Sequence, residues 1–212
     1  KGHIEKNSIA NNTFTGEVNI TLFDGLKDHV TKGDENPPFN FTERSNLLFR
    51  GKTSVSQGNF ELTFIMPKNT PETLVTGKVS AFASTQNTEY AGGAILNSFI
   101  GGIEEIIPPD NTVPSIRLFL GDTTFVNGGK VGPNTKIVAL LSDHNGINIS
   151  SSSAGNDILA VVDETEPITL NMYYEAKTGT YKNGSLTYPL DGLEKGKHTL
   201  SLSASDTYNN RT

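Results

Sequence analysis

Four carboxylates, Asp143, Asp157, Asp163 and Asp206, stand at the ends of apolar-alternating runs in the second half of the chain. Carboxylates gathered at one pole of a β-sandwich form the oxygen-only donor set that calcium takes. Asp143, Asp157 and Asp206 are therefore the metal candidates, and calcium is the metal they would suit. "SDHNGIN" is a poor calcium loop, because it lacks acids or amides at successive odd positions and a closing glutamate. Aspartate before a turn also has a simpler role, since its carboxylate accepts hydrogen bonds from nearby backbone N–H groups. Turn chemistry is the expectation here, with no cofactor called for, and Asp206 in "ASDTYNN" is read as a turn residue rather than a catalytic acid.

Other reactive constellations are missing. His3, His29, His144 and His198 lack the short spacing that places two imidazoles on one metal, and His198, just before a strand, reads as a satisfied edge residue. The chain has no cysteine, which excludes disulfides, thiolate metal sites and a cysteine nucleophile within it. No serine lies in a Gly-x-Ser-x-Gly elbow, and no glycine-rich phosphate loop precedes a helix. A ligand surface has two candidate sources. One is the loop "HNGINISSSSAGN" with Asn148 and Asn156; the other is the tyrosines, Tyr173 and Tyr181 among them, whose rings could face a sugar or peptide. Core packing and cross-strand pairing compete for the same rings.

These residues need strands to hold them, and strands are what the rest of the chain offers. "FTGEVNITLFD" alternates Val18, Ile20 and Leu22 with polar neighbours, and "GNFELTFIMP" alternates Phe60, Leu62 and Phe64 before Pro67. That is the period of half-buried antiparallel strands. "NLLFRG", "GKVSAFAS", "SIRLFLGD", "TKIVALLSD", "DILAVVD", "ITLNMYY", "GSLTYPL" and "HTLSLSAS" follow suit, with Gly, Asn and Pro turns between them. Helix signals are confined to Ala91–Ile100, where Gly92 and Gly93 oppose them. "TYKNGSLTY" reads as a hairpin turning at Asn183-Gly184. "KDHVTKGDENPPFNFTE" and "HNGINISSSSAGN" read as long loops.

The two prolines and the Asp-Asn of "EEIIPPDNTVP" mark a boundary near Pro108–Asn111. The expected fold is all-β: two tandem immunoglobulin-like antiparallel sandwiches, residues 1–108 and 109–212, which 212 residues accommodate. The net charge of −6 and pI near 5.2 argue against nucleic acid, which needs clustered cations, and against anionic lipid. No apolar run approaches the ~18–20 residues of a membrane helix, and no basic-then-apolar leader opens the chain.

"FTGEVNITLFDG", "LLFRGKTSVSQGNFELTFIMPKN", "GKVSAFAS", "VPSIRLFLGDTTFVNGG", "GNDILAVVD" and the run from Ile168 to Asn210 together resemble the C-terminal β-sandwich region of the gingipain-like sortases of type IX secretion in Bacteroidetes. The most specific part is Asn171, Tyr173, Tyr174, Tyr181, Gly184, Tyr188, Pro189, Leu193, Gly196, His198 and Leu200, ending in Asp206 and Asn209-Asn210. The sequence departs from that pattern at Asn156, where the family tends to have His, and at Ser205, where it tends to have Trp. The resemblance implies a cell-surface, outer-membrane-associated location in a Gram-negative bacterium. It also implies a caspase-like domain with a Cys-His dyad preceding these residues, and a further strand following "HTLSLSASDTYNN". The chain is then a non-catalytic scaffold or docking module. Its partners are the other domains of its parent, secretion-system proteins or cargo. The alternative is a surface adhesin or carbohydrate-binding sandwich.

Overall fold

The computed structural model describes every residue except 35, 71, 87–88, 103–107 and 152–154. Residues 104–107 of the expected boundary and 152–154 of the Ser-rich loop therefore lie outside the described residues. Before residue 109 the described strands are β1 (Gly2–His3), β2 (Glu5–Lys6), β3 (Ile9–Ala10), β4 (Gly16–Phe23), β5 (Lys27–Val30), β6 (Asn40–Glu43), β7 (Leu47–Val55), β8 (Asn59–Phe60), β9 (Val75–Ser84) and β10 (Tyr90–Ile100). After it come β11 (Ser115–Leu120), β12 (Thr135–Ser142), β13 (Leu159–Val162), β14 (Ile168–Thr169), β15 (Tyr174–Ala176), β16 (Asn183–Leu190) and β17 (Leu200–Ser203), with one 3₁₀ turn at Asn171–Tyr173.

The chain is all-β, and each described strand pair is antiparallel. The first half builds one sheet in the order β10-β9-β4-β7 and three two-stranded ribbons, β1-β8, β2-β3 and β5-β6. The second builds two facing sheets, β11-β12-β16-β15 and β14-β13-β17. Alternation works as expected in β4 and β12: Val18, Ile20 and Leu22, then Ile137, Ala139 and Leu141, turn inward and are buried. Leu200 and Leu202 pack against the same core and Ala204 is fully buried, as the period of "HTLSLSA" required.

Four local expectations give way to tertiary context. Ala91–Ile100 belongs to strand β10, where pairing with β9 outweighs the apolar density that suggested a helix. "KDHVTKGDENPPFNFTE" contains a hairpin, since β5 and β6 pair from Lys27↔Glu43 to Val30↔Asn40. Of "GNFELTFIMP" only Asn59–Phe60 is strand; Leu62 and Phe64 still pack on the core, and Phe64 stacks on Phe49 with ring centroids 4.4 Å apart. The turn after β15 runs through Lys177–Lys182 with Gly179 at φ 75°, whereas Asn183 and Gly184 are the first residues of β16. Gly184 is needed for space: a Cβ there would lie 2.3 Å from the Tyr174 hydroxyl and 2.5 Å from the Glu175 carbonyl oxygen.

Strand pairing respects residue 108, but the hydrophobic core does not. Leu22, Leu47, Leu48, Phe49 and Ile100 of the first half share one buried cluster with Ile137, Leu141, Ile149, Ile158, Leu170 and Leu186 of the second. A smaller cluster of Ile4, Phe14, Val18, Ile20, Val55 and Ala83 belongs to the first half alone. Polar groups reinforce the junction around Asn46. Its amide donates to Asp24 Oδ2 at 2.9 Å, while its Oδ1 accepts from Ser151 N at 2.9 Å and Ser150 Oγ at 3.3 Å. Gly179 N donates to the Lys52 carbonyl at 2.8 Å, and Lys68 N to the Thr207 carbonyl at 2.7 Å.

Gly184→Ala should destabilise the chain by about 1–3 kcal/mol, the usual cost of forcing an extra methyl into a packed site. Gly93→Ala, whose Cβ meets nothing within 4 Å, should change stability by less than about 0.5 kcal/mol. Urea unfolding of the two variants measures both.

Candidate functional site

Three loops bring carboxylates together at one end of the second-half sandwich. Asp110, Asp143 and Asp206 each offer an oxygen within 4.8 Å of the others. Asp110 lies in the connection before β11. Asp143 extends β12 by one rung, its N–H donating to the Lys182 carbonyl at 2.8 Å. Asp206 follows β17 and bridges Ile147.

Each acid first shapes its own turn. Asp206 Oδ1 accepts from Tyr208 N at 2.9 Å and Asn210 N at 2.8 Å, and its Oδ2 accepts from Asn210 Nδ2 at 2.8 Å. Asp110 Oδ1 accepts from the Thr112 N–H at 3.0 Å and hydroxyl at 2.7 Å. Asp143 Oδ1 accepts from Asn145 N at 2.7 Å. Cross-links then join the loops: Asn145 Nδ2 donates to Asp110 Oδ2 at 2.8 Å, and Asn210 Nδ2 to the Asp110 carbonyl at 3.2 Å. Asp206 is the turn residue its sequence announced, and the turn also delivers it into an acidic cluster.

Burial and mutual charge split the three acids. Asp206 is fully buried and Asp143 nearly so. Burial pushes the Asp143 carboxyl up, and the Asp110 charge adds to it. Burial likewise raises Asp206, with the Asp143 charge adding and the Asn210 hydrogen bonds opposing. Asp110 moves the other way, to about 2, held down by the Thr112 hydroxyl and N–H and then by donors that include Asn145 and the Asp206 carboxyl. The set can share protons, with Asp206 donating to ionised Asp110, and its oxygens are of the kind hard divalent cations accept.

The remaining sequence candidates are placed elsewhere. Asp157 does not join the cluster; it accepts from Ser151 Oγ at 2.9 Å and Asn171 Nδ2 at 2.8 Å. Asp163 pairs with His198: Nδ1 meets Asp163 Oδ2 at 2.5 Å and Nε2 meets the Glu194 carbonyl at 2.8 Å. With both ring nitrogens committed, and the Asp163 hydrogen bond raising the imidazole above its ordinary value, His198 has no nitrogen free to act as a base. It is the satisfied edge residue expected. Asn148 is fully buried, donating to Asn69 Oδ1 at 3.1 Å and Asn209 Oδ1 at 3.2 Å, so it braces loops from inside. Asn156 is buried too. Tyr181 packs against the core, and Tyr173 is 45% exposed with its ring edge-on to Tyr188 at 4.9 Å. The four do not gather into one surface. Asp110 was hidden in sequence because "PPDNT" reads as connector; "Asp-x-Thr", with its N–H and hydroxyl both on one carboxylate, was the available signal.

This geometry belongs to an antiparallel all-β sandwich protein without a cysteine-peptidase dyad in the chain. No model of a protein family matches the chain, and no curated protein does. One solved structure similar to it is dimeric latent PorU from Porphyromonas gingivalis, at 30% sequence identity over 96% of this chain and 20% of that one, with a TM-score of 0.47. The chain thus spans about a fifth of that protein's length.

Asp143 and Asp206 hold a proton more tightly folded than unfolded, so the stability they contribute is present below the ordinary carboxyl value and is lost as pH rises through their raised values. Asp110 has the opposite sign, its contribution being present above the ordinary value and lost as pH falls toward about 2. With chelator present, Asp143→Asn should raise Tm at pH 7 by roughly 2–4 °C, the shift that about 1 kcal/mol gives at this size. The gain should vanish as pH falls below about 4, where the wild-type carboxyl is protonated as well. Scanning calorimetry across pH checks this, and a lowered Tm at pH 7 would contradict it.

Proposed function

We propose that the chain is a non-catalytic scaffold or docking module of a larger cell-surface protein of the gingipain-like sortase type. Residues 1–108 and 109–212 serve in it as two sandwich-type modules on the outer surface of a Gram-negative bacterium. The observation that carries this reading is the junction. One buried apolar cluster and the Asn46 network lock the two halves together, which suits a part that holds other domains at a fixed distance. The sequence resemblance supplies the type of parent. Its partners are the parent's other domains, and through them secretion-system proteins or cargo. The absence of cysteine and the commitment of both His198 nitrogens support a supporting role over a catalytic one. No described helix is long and apolar enough to cross a membrane.

Two measurements test this. The gene surrounding the segment should encode a caspase-like domain with its Cys-His dyad upstream; a full-length gene without one contradicts the sortase-type parent. The chain alone should show no turnover against peptide and ester substrates. Reproducible hydrolysis abolished by a single substitution would overturn the non-catalytic reading. A second reading, a surface binding module for glycans, is favoured by an open groove on the outer face of the second-half sheet, lined by Arg117, Leu140, Ser185 and Lys177 among others.

A further inference from the structure

The groove on the outer face of the β11-β12-β16-β15 sheet encloses about 770 Å³. Its floor follows from strand register. Arg117 pairs with Leu140, Leu140 with Ser185, and Ser185 with Glu175, so these four side chains form one row across four strands. The neighbouring row runs Ser115, Ser142, Asn183, with Lys177 beyond, its N–H donating to the Asn183 carbonyl at 2.8 Å. At a spacing of about 4.8 Å between strands, Arg117 and Glu175 stand roughly 14 Å apart. Lys52 of β7 closes the far end, with its ammonium 3.5 Å from Glu175 and 3.6 Å from Glu17.

The charge of this face runs against that of the chain. The protein carries a net charge of −6, yet three cations, Lys52, Arg117 and Lys177, line the groove against one acid, Glu175. Lys52 is neutralised by its two glutamates, whereas Arg117 and Lys177 have no carboxylate partner among the described residues. The guanidinium of Arg117 instead sits 5.3 Å from the Phe119 ring centroid, an arrangement that leaves its fork of donors open to a planar anion. Between these charges lie Leu140 and a set of hydroxyls and an amide: the side chains of Ser115, Ser142, Ser185 and Asn183 make no hydrogen bond to the rest of the described chain. Glu175 Oε1 is buried and faces the Lys52 ammonium at 3.5 Å, so this carboxylate is already held by a cation. The face therefore presents open cations at Arg117 and Lys177, a neutralised Lys52–Glu175 pair at the far end, and hydroxyl and amide groups beside Leu140 between them.

We propose that this face binds an acidic glycan, a run of hydroxylated sugars bearing carboxylates, laid across the strands with a carboxylate on Arg117 and hydroxyls over Ser142, Ser185 and Asn183. The proposal rests on the binding-module reading and gives it a site and a ligand class. An extended acidic peptide fits less well. A peptide held by sheet augmentation needs a free strand edge, and β12 and β16 are paired on both sides along this face. On this face the floor offers one apolar side chain, Leu140, rather than the row of alternate side-chain pockets that gives peptide recognition its specificity, whereas sugar hydroxyls match the serine and asparagine side chains directly.

The test is titration calorimetry of the chain with polygalacturonate, neutral dextran and polyglutamate. Polygalacturonate should bind with a dissociation constant below about 1 mM and weaken as salt rises. Arg117→Ala/Lys177→Ala should weaken it at least tenfold, Arg117→Lys less, and Ser142→Val/Ser185→Val at least threefold with the charges kept. Both cations are exposed, so the variants should retain the wild-type circular dichroism and Tm, which also serve as the folding control. Equal binding of polyglutamate, or of dextran, overturns the acidic-glycan assignment while leaving a binding module in place. No binding of any probe overturns both. Polygalacturonate binding unchanged in both double variants moves the ligand away from this groove and overturns the site.

Discussion

Asn46 is the residue on which the arrangement of the molecule turns. It precedes β7 and is almost fully buried. Its carboxamide holds Asp24 of its own half on one side and Ser150 and Ser151 of the other half on the opposite side. A buried amide that lost these partners would carry an uncompensated desolvation cost of about 1–3 kcal/mol, so the two loops have a reason to stay in register. With that register fixed, Leu47, Leu48 and Phe49 enter the core of the second half. Gly51 lies against β15, since a Cβ on it would come within 3.2 Å of Ala176, and Lys52 reaches Glu175. The groove is in this sense a product of the junction: its floor is one sheet, and its end wall is contributed by the other half.

The same junction steadies the acidic cluster. Asn148, two residues from Ser150, ties Asn69 of the first half to Asn209, and Lys68 holds Thr207. Asp206 is thereby fixed between the strand end and the turn it caps. Three turn-capping acids in three loops is ordinary loop chemistry; their convergence within 4.8 Å is not, because like charges at that distance oppose folding unless a proton or a cation intervenes. Burial raises two of the acids while hydrogen bonds lower the third, and the separation makes a single bound proton compatible with the geometry.

How much of this was legible in the sequence depended on whether its cause was local. The strands β4, β12 and β17 were readable because alternation reports a buried face directly. Strand β10 was not, since Tyr90, Ile95, Leu96 and Phe99 are exposed and its conformation comes from pairing with β9 rather than from its own pattern. Asn183-Gly184 carried the signal of a tight turn, but the glycine answers to Tyr174, whose ring occupies the space a Cβ would take. The turn role of Asp206 was visible in "SDTYNN", whereas its meeting with Asp110, 96 positions away in sequence, required the folded loops. The groove was invisible for the same reason: Arg117, Ser185 and Glu175 are neighbours only through the registers of β11, β12, β16 and β15.

If one core and one buried amide join the halves, they must unfold together. Urea unfolding followed residue by residue through the amide signals of Leu48 in β7 and Leu186 in β16 is the most direct measurement. A single midpoint and a single slope for the two residues is the predicted result. Loss of the Leu48 signal at a distinctly lower urea concentration, with Leu186 still native, would contradict a shared core and leave two independent modules in its place.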